Sequence, residues 1–189
     1  RAARLDVRRG DLTAARRWAD GARVGAGDPV SYVREYELVT LARILVATSH
    51  PQPGERVGDD VVALLERLLD AADAADRSGS VIEILVVLAA AHHSRGDPHA
   101  ATLAIDRALS LAVDLGHVRV FLDTVPSLEP MLRAAALDGP ARDHRDRVLA
   151  AARPPVATRS RPATSLVVEL SGRELEVLRL LRTDLSGPE

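Results

Sequence analysis

A few charged residues sit inside stretches that are otherwise apolar: Glu35, Glu37, Arg43, Glu83 and Arg119. Charges in such settings need partners, because an unpaired buried charge is costly. Two kinds of chemistry suit them. On an open surface, Glu35, Arg43, Glu83 and Arg119 would hold a polar ligand by charge-assisted hydrogen bonds, with Tyr36 as a stacking wall. The more economical alternative is a set of mutual salt bridges that lock neighbouring helices. Tyr32 and Trp18 pose the same choice between stacking on a ligand ring and packing in a core.

Other constellations are weaker. His92, His93 and His99 hint at a metal, but adjacent histidines point around a helix rather than to one face. Asp143, His144 and Asp146 imitate part of a hydrolytic relay with no nucleophile elbow beside them. Asp70, Asp73 and Asp76 form an acidic stripe that reads as a solvated face. Gly25-Ala26-Gly27 is too short for a phosphate loop.

Absences narrow the chemistry further. The chain has no Cys, which removes disulfides, thiolate metal sites and a cysteine nucleophile. It also has no Lys, so neither a P-loop nor a Schiff base can be built on it. Neither an enzyme nor a cofactor site is expected in this segment. The formal net charge of −2 argues against a polybasic nucleic-acid or membrane binder. No apolar run is long enough to span a membrane. The chain begins at Arg1 with no signal-peptide pattern, so it reads as a cytoplasmic segment of a longer protein.

The elements that must position these residues are helices. Ala and Leu dominate and aromatics are few, a composition of closely stacked helices. Helical stretches are expected over 1–9, from Asp11 to Ala22, from Asp28-Pro29 to Ala47, and from a cap at Asp59 or Asp60 onward. In that last stretch Val61, Leu65, Leu68, Ala72 and Ala75 recur at helical spacing. The run 80–91 reads as a helix buried on both sides. The next opens at Asp97-Pro98, with Ala101, Ala104, Ile105, Ala108, Leu111, Ala112 and Leu115 as its apolar face. Short helices over 118–123, 126–136 and 141–152 close the stack.

Arg9-Gly10-Asp11 and Arg95-Gly96-Asp97 place a Gly helix stop beside an Asp cap, and the loop 50–60 reads as a third, longer copy. Helix pairs recurring about every 40 residues mean an all-α, tetratricopeptide-like antiparallel solenoid, whose concave groove is the usual binding surface. Residues 153–169 are rich in Pro, Arg and Ser and read as a linker.

Near the end, Ser171-Gly172-Arg173-Glu174 is a capping box, and Leu175, Leu178 and Leu181 line one helical stripe behind it. The string Leu170-Ser171-Gly172-Arg173-Glu174-Leu175-Glu176-Val177-Leu178-Arg179-Leu180-Leu181 resembles the opening of the LuxR-type helix-turn-helix domain. The resemblance makes Ser171, Arg173, Glu174, Val177, Leu178 and Leu181 the start of that domain over 170–189. Asp184 and Gly187 stand where the family usually has Gly and Asn, and no recognition helix follows, so this segment alone is not expected to read bases.

Three further stretches, 31–43, 77–85 and 116–123, resemble the helical-repeat regulatory domain of the large ATP-dependent, MalT-like LuxR regulators. That likeness implies a regulatory domain over 1–152 that senses a small-molecule effector or a protein partner in its groove, with a homodimer possible. It implies DNA binding only through the complete regulator. The competing expectation is a protein-docking or self-association scaffold with no small-molecule ligand.

Overall fold

In a computed structural model, residues 2–49, 58–124 and 128–152 are described, and all fall within one compact unit of the chain. Among them there are helices and no strands: α1 (Ala2–Arg9), α2 (Leu12–Ala22), α3 (Tyr32–Thr48), α4 (Asp59–Asp73), α5 (Ser78–Ser94), α6 (Pro98–Leu115), α7 (Arg119–Thr124), α8 (Leu128–Ala134) and α9 (Gly139–Ala152). The all-α repeat architecture read from the sequence is the one observed.

The turn between α1 and α2 follows from local chemistry. Gly10 takes φ of +78°, which suits a residue without Cβ. Its N–H donates to the Val7 carbonyl and the Asp11 N–H donates to the Asp6 carbonyl, the pair of bonds that closes a Schellman motif. The Asp11 carboxylate then accepts from the Ala14 N–H at 3.0 Å and starts α2. Between α5 and α6 the same device recurs. Gly96 has φ of +77°, Gly96 and Asp97 donate to His93 and His92, and Asp97 caps Ala100 at 2.9 Å.

Between α4 and α5 the stop recurs without the cap, since Arg77, which precedes α5, makes no side-chain capping bond. Asp76 and Arg77 donate to Asp73 and Ala72, with Asp76 itself in the left-handed region at φ of +51°. The third copy expected at 50–60 falls largely outside the described residues; the further stop observed is at Asp76, where no glycine marks it.

Other expectations shift by a few residues. α3 starts at Tyr32, not at Asp28-Pro29, because Asp28 is used in the loop: it accepts from the Gly25 N–H at 3.2 Å and pairs with Arg34 at 3.0 Å. α4 is preceded by Gly58, and no side chain caps it, so Asp59 and Asp60 serve as first-turn acids instead. Ala75 lies past the end of α4 and is exposed. On α6 the buried face is Ala101, Ala104, Ile105, Ala108, Leu109 and Ala112, while Leu111 and Leu115 face solvent. The face is turned because α6 packs on α5, α8 and α9 at once.

Packing gives the stack its order. α1 touches α3, α3 touches α5 and α5 touches α7, so the first helices of successive pairs form one row. α2 packs on α3, α4 on α5, and α8 and α9 close against α6. α5 lies at the centre: every residue from Val81 to Ala91 except Glu83 is buried. Each fully buried Leu, Ile or Val there contributes about 1.5–3 kcal/mol.

Candidate polar groove along the inner helix row

The row α1–α3–α5–α7 carries a lattice of charges. Arg4 of α1 reaches over α3. Its Nε donates to Thr40 Oγ1 at 2.7 Å, one terminal nitrogen to the Tyr36 carbonyl at 3.2 Å, and the other to Glu83 Oε1 of α5 at 2.5 Å. The same guanidinium lies 3.9 Å from the centre of the Tyr36 ring, a cation–π contact. Thr40 is held for this by donating its own hydroxyl proton to the Tyr36 carbonyl at 2.6 Å.

Arg43, one turn further along α3, is only 7% exposed. It donates to the same Glu83 Oε1 at 3.0 Å and to the Asp123 carbonyl at 3.3 Å, and its Nε has no partner. Burial lowers its pKa, opposed chiefly by the Glu83 charge. Arg8, one turn beyond Arg4 on α1, donates to Asp123 Oδ1 of α7 at 2.8 Å. Arg4, Leu5, Arg8, Tyr36, Arg43, Glu83, Val120 and Asp123 line a groove of about 390 Å³, within the usual size of small-molecule sites.

A second groove of about 540 Å³ adjoins it, sharing Arg4, Tyr36 and Glu83. Glu35 lines it but is already engaged: Arg77, just before α5, and Ser80 of α5 both donate to its carboxylate at 2.6 Å. Arg77 also lies 5.5 Å from the ring of Tyr32, which is 75% exposed.

Of the residues the sequence singled out, Tyr36, Arg43 and Glu83 meet in the first groove, and Glu35, Tyr36 and Glu83 in the second. Arg119 belongs to neither. Its side chain is 80% exposed and meets Asp123 at 3.6 Å along its own helix. For Glu35, Arg43 and Glu83 the salt-bridge alternative describes the observed contacts, tying α1 and α3 to α5. Glu37 pairs with Arg34 at 3.5 Å.

The residues that sequence reasoning missed are Arg4, Arg8, Thr40 and Asp123. One signal was available: Arg4 and Arg8 are four apart and share a helix face. Their partners, 79 and 115 residues away, left no local trace.

The remaining candidates take structural places. Among the described residues no group of His, Asp or Glu could hold a metal ion. His144 is fully buried on α9, edge-on to Phe121 with ring centroids 6.0 Å apart. Its Nε2 lies 3.2 Å from the His117 carbonyl and its Nδ1 3.2 Å from an Arg147 nitrogen. Those partners assign a neutral ring with the proton on Nε2. Asp146 pairs with Arg145, so no relay forms. Trp18 packs against the small cluster of Ala3, Ala15 and Ile44. Asp73 pairs with Arg107 at 2.6 Å across to α6. Ser171, Arg173, Glu174, Val177, Leu178 and Leu181 lie outside the described residues.

The stack of helix pairs, with a polar groove along the row α1–α3–α5–α7, is a helical-repeat architecture. The family model for the MalT-like TPR region matches residues 1–138, and the chain belongs to that family. Neither the curated proteins nor the solved structures contain a significant match to it. No helix among the described residues is long and apolar enough to cross a membrane.

Proposed function

We propose that this chain is the effector-sensing helical-repeat domain of a LuxR-type transcription regulator. The observation that carries the sensing half is the groove of Arg4, Arg8, Tyr36 and Arg43, which spans all four helices of the inner row together with Glu83 and Asp123. A ligand there touches elements far apart in the chain and can favour one arrangement of the stack over another, which is the requirement for coupling. The regulator half rests on membership of the MalT-like family and on the likeness of 170–181 to the helix-turn-helix opening. DNA recognition belongs to a complete helix-turn-helix domain, and no catalysis or cofactor is assigned to this chain.

A thermal-shift screen against nucleotides, sugars, amino acids and organic acids tests the sensing half. A ligand at about 100 times its Kd adds roughly 2.7 kcal/mol. A saturable shift that Tyr36→Ala abolishes is the expected result. No shift across the panel overturns it.

A second reading, a docking surface for a protein partner, is favoured by one observation. Tyr32 and Val33, at the start of α3, are 75% and 86% exposed beside the second groove. Under that reading Tyr32→Ser weakens partner capture and no small molecule stabilises the chain.

A further inference from the structure

We infer that the first groove takes an anionic ligand, a carboxylate or phosphate group on a small molecule, which binds Arg4 and Arg8 by taking Arg8 away from Asp123. The inference rests on the sensing reading above and deepens it.

The first argument is charge balance. Three guanidiniums of the groove, those of Arg4, Arg8 and Arg43, face two carboxylates, those of Glu83 and Asp123, and Arg119 outside the groove leans on Asp123 as well. Arg4 and Arg43 share a single oxygen, Glu83 Oε1. Arg8 and Arg119 share Asp123 through one oxygen each. The cluster is under-neutralised, and a cationic ligand would find both carboxylates already engaged.

The second is donor supply. A guanidinium carries five N–H donors. Among the described residues Arg8 makes one hydrogen bond, to Asp123, and its side chain lines the groove while 44% exposed, which leaves further N–H donors for a ligand. A carboxylate or phosphate suits a guanidinium fork, since it accepts two parallel bonds.

The third is that the contact to be broken is weak. The Arg8–Asp123 pair is exposed on both sides, 44% and 39%, and such pairs contribute little. It nevertheless joins α1 to α7, the first and last helices of the inner row. Leu5, Val120 and the Tyr36 ring supply apolar walls for the rest of the ligand. An incoming anion replaces the Asp123 carboxylate on Arg8, leaving Asp123 to Arg119 and releasing α7 from α1. Binding thereby alters the link between the two ends of the row.

Isothermal titration with citrate and with pyrophosphate, at constant ionic strength set by sodium chloride, tests this; glucose and maltose serve as uncharged controls. Citrate or pyrophosphate is expected to bind saturably, and which of them does so separates a carboxylate from a phosphate ligand. Arg8→Gln should weaken that binding about tenfold, and the exposed Arg16→Gln should leave it unchanged. Asp123→Asn, which removes the internal competitor, should tighten it several-fold; a merely structural Asp123 predicts no tightening. Anion binding that Asp123→Asn leaves equal or weaker overturns the displacement. Binding of the uncharged sugars alone overturns the anion assignment while the sensing reading stands. If no probe binds and the wider screen is also silent, both fall.

Discussion

The hairpins α1–α2 and α5–α6 are built on the same turn and cap yet are held in opposite ways. Each has a left-handed Gly closing one helix and an Asp capping the next. The α5–α6 hairpin then buries Val81–Ala91, apart from Glu83, and six residues of α6. The α1–α2 hairpin buries Ala3 and Ala15, and its small cluster adds Ile44. Beyond that small cluster, what ties α1 to the remainder is polar: Arg4 to Thr40, Tyr36 and Glu83, and Arg8 to Asp123. Apolar burial fixes the centre of the stack, while exchangeable ion pairs attach its first hairpin. Elements held by few apolar contacts open at low free-energy cost, and these are the ones from which ligand-responsive parts are drawn.

The largest expected effect probes the centre. Leu109→Ala removes a fully buried side chain and should lower unfolding free energy by about 2–5 kcal/mol in a urea titration. Arg4→Ala should move that midpoint much less, while amides of α1 and α2 exchange faster by hydrogen–deuterium measurement. Equal losses in the two variants would break the contrast between the hairpins.

A smaller effect comes from the closing helix. Burial lowers the His144 pKa, with the His117 carbonyl opposing and the Arg147 and His117 charges adding to the shift. The unfolded chain takes up a proton near the ordinary value of about 6.5, and the folded ring resists it. The stability associated with neutral His144 is therefore complete above that value and declines as pH falls below it. Urea midpoints measured from pH 8 to pH 5.5 should fall on the acid side, and His144→Leu should flatten that fall. A slope unchanged in the variant assigns the effect elsewhere.

The smallest effects sharpen the comparison of turns. A Cβ on Gly96 would meet nothing within 4 Å, so Gly96→Ala reports the left-handed conformation alone, a loss of about 1–2 kcal/mol. Asp76 occupies the same conformation with a side chain, and Asp76→Gly should gain about 1 kcal/mol or less. Opposite signs in the two thermal melts are the expected outcome.

Legibility followed sequence distance. The turns at Gly10-Asp11 and Gly96-Asp97 could be read because a stop and a cap are chemistry among neighbours. The turn at Asp76 could not, since its left-handed residue is an aspartate and no Asp cap follows it. The central helix was legible from its unbroken apolar run. The apolar face of α6 was placed one residue set off, Leu111 and Leu115 for Leu109, because contact with three neighbours decides which side is covered.

The same division runs through the groove. Sequence alone identified Glu35, Arg43 and Glu83 as charges that burial would force into partnerships, and Tyr36 beside them. Only the tertiary structure decided the partners. Glu83 meets Arg4 and Arg43, Glu35 is occupied by Arg77 and Ser80, and Arg119 is left outside. Composition and periodicity determined an all-helical repeat, because helix starts, stops and apolar spacing act within a few residues. Which charges face one another across α1, α3, α5 and α7 depends on how the helices stack, and the sequence does not carry that information locally.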